Sequence, residues 1–211
     1  EFCLSKGIRL HGHTLVWGNN RWQIPDWLIN RIPFKFLKKA NLERNPNDDT
    51  LLSEAAAFAF EGMTASEMER ALPEYTTLLN TLMAKRIIEI AMRYGDKIDS
   101  WDVVNESATD YGCGNMIPAA KLCKSCYAPM PGDYTYRGFK FAEGVFPAEA
   151  KLNINDYNLS EDYVKQVRNL RARGCKIDIM GAQMHLFDPQ TCQDIADGKS
   201  LVQSPREVRE T

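Results

Sequence analysis

Four short stretches of this chain are apolar at alternating or consecutive positions and end abruptly in polar side chains. They are Ile8 to Trp17, Trp101 to Glu106, Lys151 to Asn158 and Lys176 to His185. Each reads as a buried or half-buried strand of the length strands usually have. The segments between them switch to the three-to-four residue period of amphipathic helices. One places Leu79, Leu82, Met83, Ile87, Ile90 and Tyr94 on one face with Gly95 just past its end; another is carried by Tyr136, Phe139, Ala142 and Val145 before Pro147. A third runs through Val164, Val167 and Leu170 to Gly174. Expected N-terminal caps are a Ser66–Glu69 capping box, with Pro73 breaking the helix that follows it, then Asp133 and Ser160.

Strands alternating with helices argue for an α/β fold with a parallel sheet covered by helices, in which ligands bind at the carboxyl ends of the strands. Here those ends carry His13 and Trp17, Asn105 and Glu106, Tyr157 and Asn158, and Gln183 and His185. An open doubly wound sheet usually shows a Gly-rich phosphate loop after its first strand, and none is present, which leaves part of an eight-stranded α/β barrel as the other architecture. Such a barrel takes ~250 residues and four strands cannot close one. Ser204, Pro205 and Glu207 announce a helix with only four residues after it, so the reading is an incomplete barrel occupying residues 1–211. Residues 30–65 read as an insertion, with a turn at Asn45–Asp49 and a short Ala-rich helix from Thr50 to Phe60, and a Cys-containing loop lies near 110–132.

Composition narrows the partners. Lys and Arg number 26 against 28 Asp and Glu, with no basic face or arginine-rich run to suit nucleic acid, and no apolar run reaches the ~20 residues of a membrane span. Six cysteines include the cluster Cys113, Cys123 and Cys126. A structural zinc site needs four ligands, and neither a second Cys-x-x-Cys nor a nearby His completes one, so a loop-stapling disulfide or free thiols are the expectation. The loop Gly18 to Trp27 sets amides beside Trp22 and Trp27, which suits the flat faces and hydroxyl edges of a sugar, while Trp27 serves equally as a core anchor.

Four ordered motifs resemble glycoside hydrolase family 10, the endo-1,4-β-xylanases. They are Gly12-His13-Thr14-Leu15-Val16-Trp17, Trp101-Asp102-Val103-Val104-Asn105-Glu106, Asn155-Asp156-Tyr157-Asn158 and Gly181-Ala182-Gln183-Met184-His185. The resemblance implies a partial (β/α)8 barrel, strands three to six of eight, and hydrolysis of β-1,4 linkages in xylan, a plant cell-wall polysaccharide, by a secreted or cell-surface enzyme that needs no cofactor. Glu106 would be the general acid/base and Asn105 would bond the 2-hydroxyl of the sugar being cleaved. His13 and Trp17 would shape the same subsite, Gln183 and His185 would orient the catalytic carboxylates, and Tyr157 and Asn158 would line the leaving-group side. In a retaining glycosidase a second carboxylate ~5.5 Å away attacks the anomeric carbon. In the family that nucleophile is a Glu on the seventh strand, which places it beyond Thr211; Asp156 and Asp178 are the nearest substitutes within the chain. The loop after Trp17 departs from the family, with Gly18-Asn19-Asn20 in place of His-Ser-Gln and Pro25 arriving late. A β-1,4-glucanase and an inactive carbohydrate-binding relic are the competing readings. His11 has no motif role and is taken as structural.

Overall fold

The computed structural model describes residues 2–19, 23–37, 56–57, 59–123, 129–183 and 189–197. Three short helices, α1 (Phe2–Ser5), α2 (Asp26–Ile29) and α3 (Phe34–Leu37), precede α4 (Ala65–Ala71) and the long α5 (Pro73–Tyr94). Strand β1 (Ser100–Asn105) follows, then α6 (Ala108–Gly112) and α7 (Tyr134–Val145), β2 (Lys151–Asp156), α8 (Glu161–Ala172), β3 (Ile179–Ala182) and α9 (Pro189–Ala196). The strands form one parallel sheet in sequence order, β1-β2-β3. On the free side of β1, Gly12 and Val16 bridge in parallel to Trp101 and Val104. Four consecutive parallel segments with intervening helices make an arc of a β/α barrel.

The first segment is less regular than its sequence pattern predicts. Of the strand expected from Ile8 to Trp17, only the bridges at Gly12 and Val16 form. Gly12 to Val16 spans one residue more than Trp101 to Val104, so the ladder cannot stay in step. The carbonyls of Thr14 and Leu15 turn instead to the Arg86 guanidinium on α5, at 3.1 and 2.9 Å. The His13–Thr14 peptide is cis.

β1 carries an irregularity of its own that decides what the sheet can present. Its register against β2 shifts between Asp102 and Val104, leaving Val103 as an extra residue. Trp101 packs on Phe146, and Val104 lies toward Gly138 of α7, so both face the helices. In an unbroken strand Asn105 would share the side of Trp101, because side chains alternate. The extra residue reverses that parity and turns Asp102 and Asn105 to the same, opposite face.

The core lies between sheet and helices. From α5 it takes Tyr75, Leu79, Met83, Ile87 and Ala91; from α7 Tyr134, Phe139 and Ala142; and from α8 Tyr163, Val167 and Leu170. The expected helical faces are right in their centres and wrong at their edges, since Tyr94 and Val145 are exposed. Ile32, Ala56 and Phe60 are buried in this core, so the described ends of the 30–65 segment pack as part of the body. The turn at Asn45–Asp49, most of the Thr50–Phe60 helix and the Ser204–Thr211 helix start lie outside the described residues. No helix of the described residues is long and apolar enough to cross a membrane.

All three expected caps differ from expectation. The capping box of α4 is Thr64 with Glu67, not Ser66 with Glu69: the Glu67 N–H donates to Thr64 Oγ1 (3.1 Å) and the Thr64 N–H to Glu67 Oε2 (2.7 Å). Those bonds, with Lys121 beside it, hold the Glu67 carboxyl down at about 2. Asp133 precedes α7 but makes no cap, because its φ of 57° turns the side chain away and its carboxylate receives the Arg173 guanidinium. Ser160 also makes no side-chain cap.

Two substitutions test this packing. A Cβ on Gly12 would sit 2.1 Å from Cε3 of Trp101, so Gly12→Ala should cost ~1–3 kcal/mol in urea unfolding. Thr64→Ala removes one side of the capping box and should cost about 1 kcal/mol in the same measurement.

Candidate active site

The polar residues that end the strands meet at one edge of the arc. β1 delivers Asn105 and, one residue further, Glu106, whose φ of 57° places it in the left-handed region that a side chain with a Cβ seldom adopts. Its N–H donates to the Asn155 carbonyl at 2.8 Å. Asn105 is buried, and its Oδ1 accepts two amide donors, Asn155 Nδ2 at 2.9 Å and Gln183 Nε2 at 2.8 Å. With that oxygen so occupied, the amide cannot flip without setting its NH2 against two donors. Gln183 Nε2 also reaches Glu106 Oε1 at 3.1 Å, so one amide from β3's end holds both the acid and its neighbour. Gly181 makes the approach possible, since a Cβ there would lie 2.5 Å from Asn155 Oδ1.

A second cluster occupies the same face, deeper along β1. Asp102 Oδ2 accepts from His13 Nδ1 at 2.9 Å and from His11 Nε2 at 3.0 Å. A carboxylate only accepts, so each of those nitrogens carries a proton, and His11 Nδ1 is left to accept from Ser100 Oγ at 2.9 Å. Ser100 Oγ in turn accepts from Asn153 Nδ2 at 3.0 Å. The bond to Asp102 fixes the orientation of the His13 ring through Nδ1. Trp17 is half-buried beside this face in sequence, and its indole N–H is shielded and has no hydrogen-bond partner among the described residues.

The remaining residues picked out by sequence divide. Tyr157 is more than half exposed at the end of β2. Asn158 ties two loops: Nδ2 donates to Thr109 Oγ1 on α6 (3.1 Å) and Oδ1 accepts the Ser160 N–H (3.2 Å). His185 lies outside the described residues, as do Trp22 and Cys126. Trp27 is exposed, with the Arg31 guanidinium 5.8 Å from its ring, which settles against a core anchor. Cys113 pairs with Cys123 in a disulfide that staples the loop after α6. The same loop is fixed to the body by Leu122, whose N–H donates to Met63 and whose carbonyl accepts from Gly62.

Neither substitute nucleophile is placed for attack. Asp178 lies before β3, at the end of the sheet opposite Glu106, where it accepts the Leu152 N–H at 2.8 Å between Lys151 and Lys176. Asp156 is buried, and its parity along β2 sets it with Leu152 and Ile154 rather than with Asn153 and Asn155. Its oxygens accept the N–H groups of Ala108 and Asn158, both at 2.8 Å. Burial pushes its carboxyl up to about 6, the backbone donors pull it down, and the nearby Glu106 charge adds to the rise. Asp102 and His11 were not singled out from sequence as site residues. The signal available was the Asp in the middle of an apolar strand, which needs a buried partner.

Endo-1,4-beta-xylanase C of Paenibacillus barcinonensis is 27% identical over 197 residues, covering 88% of this chain and 14% of that protein. Endo-1,4-beta-xylanase B of Thermotoga neapolitana is 27% identical over 192 residues, covering 88% of this chain and 40% of that protein. Among solved structures, xylanase B from Clostridium stercorarium F9 superposes with a TM-score of 0.60 at 23% identity, covering 99% of this chain and 52% of that one. The chain thus spans about half the length of that solved barrel, and its arc is part of a (β/α)8 barrel. The model of glycosyl hydrolase family 10 matches residues 1–204, and the chain belongs to that family.

Proposed function

We propose that this chain carries the acid/base half of an endo-1,4-β-xylanase, with Glu106 protonating the leaving oxygen of a β-1,4-linked xylose unit. The observation that carries the reading is the pairing of Glu106 with Asn105 under one amide, Gln183, at the carboxyl edge of the sheet. An acid in glycoside cleavage must be aimed at the glycosidic oxygen before the bond lengthens, and a carboxyl held by a fixed amide is aimed without reorganisation. Asn105, its carbonyl taken by two donors, turns its NH2 to the sugar's 2-hydroxyl. His13 offers its ring Nε2 to a neighbouring hydroxyl, and Trp17 offers the face of its half-buried indole ring.

A second carboxylate completes the retaining reaction by attacking the anomeric carbon. Asp156 and Asp178 do not fill that role, the first facing the helices and the second lying at the wrong end of the sheet. Xylan is a polymer too large to enter a cell, so the enzyme acts outside it, and the Cys113–Cys123 disulfide suits the oxidising conditions met there.

The test is reducing-sugar release from soluble xylan beside mixed-linkage β-glucan. Xylan should be the faster substrate, and Glu106→Gln should lower its rate by ~10²–10⁴-fold, the range of general acid catalysis. An aryl xylobioside with an acidic phenol needs no proton on its leaving group, so the first step of its hydrolysis should survive the same substitution. Equal loss on both substrates would remove Glu106 from the acid role. Faster β-glucan hydrolysis would replace the substrate while keeping the acid.

A further inference from the structure

Asp156 is an expensive residue to bury, and nothing in the reaction proposed above uses it. It lies at the carboxyl end of β2 with 1% of its surface exposed, on the helix-facing side of the sheet. The titratable groups around it are Glu106 from the end of β1 and Tyr163 from α8, whose hydroxyl donates to the carbonyls of Ile154 (3.0 Å) and Gly181 (2.9 Å). Tyr163 therefore gives Asp156 no hydrogen bond through that proton. The carboxylate is met by backbone N–H groups instead: Ala108 on Oδ2, Asn158 on Oδ1, and Ser107 nearby.

Two of those three donors belong to the residues that directly follow Glu106. The residue before Asp156 acts on the other flank, since the Asn155 carbonyl accepts the Glu106 N–H at 2.8 Å. The last two residues of β2 thus grip the backbone on both sides of the one site residue held at positive φ. A left-handed residue with a Cβ reverts to an ordinary conformation unless its surroundings fix it. Ser107 is wholly buried and accepts a hydrogen bond from Gln166 at its hydroxyl (2.8 Å).

The chemistry of the side chain explains why an acid and not an amide stands here. A carboxylate accepts at both oxygens, whereas Asn would accept at one and set its NH2 against a backbone N–H. For burial alone the amide is the better choice, because burial has already pushed this carboxyl up to about 6. A group whose folded value is raised stabilises the fold most when protonated and loses that contribution as pH rises through about 6. Burial by itself therefore does not account for the acid; the backbone donors that meet both of its oxygens do.

We infer that Asp156 is a positioning residue for Glu106: its carboxylate holds the N–H groups of Ser107 and Ala108, and with them the turn that aims the Glu106 carboxyl at Gln183. The inference rests on the acid role proposed for Glu106 for its purpose, but its tests need no substrate.

The first test is amide hydrogen exchange in Asp156→Asn, resolved by residue. Ser107 and Ala108 should lose at least about tenfold in protection, while Val103 and Val104 in the core of β1 keep theirs and the melting temperature at pH 7.5 does not fall with them. Parallel loss at all four amides would make Asp156 a general stabiliser and overturn the inference, as would no loss at Ser107 and Ala108. The second test covers a variant that does not fold. The carboxyl carbon of Asp156, followed by NMR, should titrate near 6 in the native protein and lower in Glu106→Gln, where the neighbouring charge is gone. An unchanged midpoint would mean that the two carboxyls do not sense each other and would overturn the pairing. Failure of xylan hydrolysis with both signatures present would leave Asp156 in this role and remove the substrate.

Discussion

One oxygen holds the ends of three strands together. Asn105 Oδ1 is the common acceptor for the side chains of Asn155 and Gln183, so β1, β2 and β3 are laced across their carboxyl edge by a single polar atom. The atom is there because of one extra residue. Without Val103 out of step against β2, Asn105 would face α7, where its amide would be set in a dry interface and Asn155 and Gln183 would lose their common acceptor. A local defect in pairing is therefore what converts a hydrophobic strand into the wall of a polar cleft.

Much of this was legible in the sequence because the chemistry and the strand endings coincide. Polar residues at the ends of apolar runs located Glu106, Asn105, His13 and Gln183 on one edge, and the structure brings those four elements side by side. Two of the misreadings originate in partners that lie far along the chain. Asp133 has the position of a cap, yet Arg173, forty residues on, competes for its carboxylate. The first strand loses its regularity partly to Arg86, which no local pattern couples to Thr14 and Leu15. Ser66 and Thr64 both satisfy the spacing of a capping box, and the bonds form at the earlier one. Asn158, at the end of β2, donates from Nδ2 to Thr109 on α6 and accepts the Ser160 N–H at Oδ1.

His11 and Asp102 show the limit in another way. A histidine outside any recognisable motif and an acid within an apolar run each look unremarkable alone. Their meaning is a matter of which side of a bulged strand they occupy, and parity across a bulge cannot be counted without the partner strand. Once the bulge is placed, Ser100, Asp102, Asn153 and the two histidines fall into one directional chain of donors and acceptors.

The backbone at Glu106 has an evolutionary consequence. Glycine takes its left-handed conformation freely and asparagine more easily than glutamate, a difference of roughly 1 kcal/mol or more for a residue with a Cβ. A lineage that kept the fold but was released from selection on catalysis would gain stability by exchanging this residue first. Descendants that bind sugar without cleaving it would then carry a Gly or Asn at this position, with Asn105 and the three-stranded lacing intact beneath it. Glu106 is thus the residue of this motif whose backbone costs the fold most to keep.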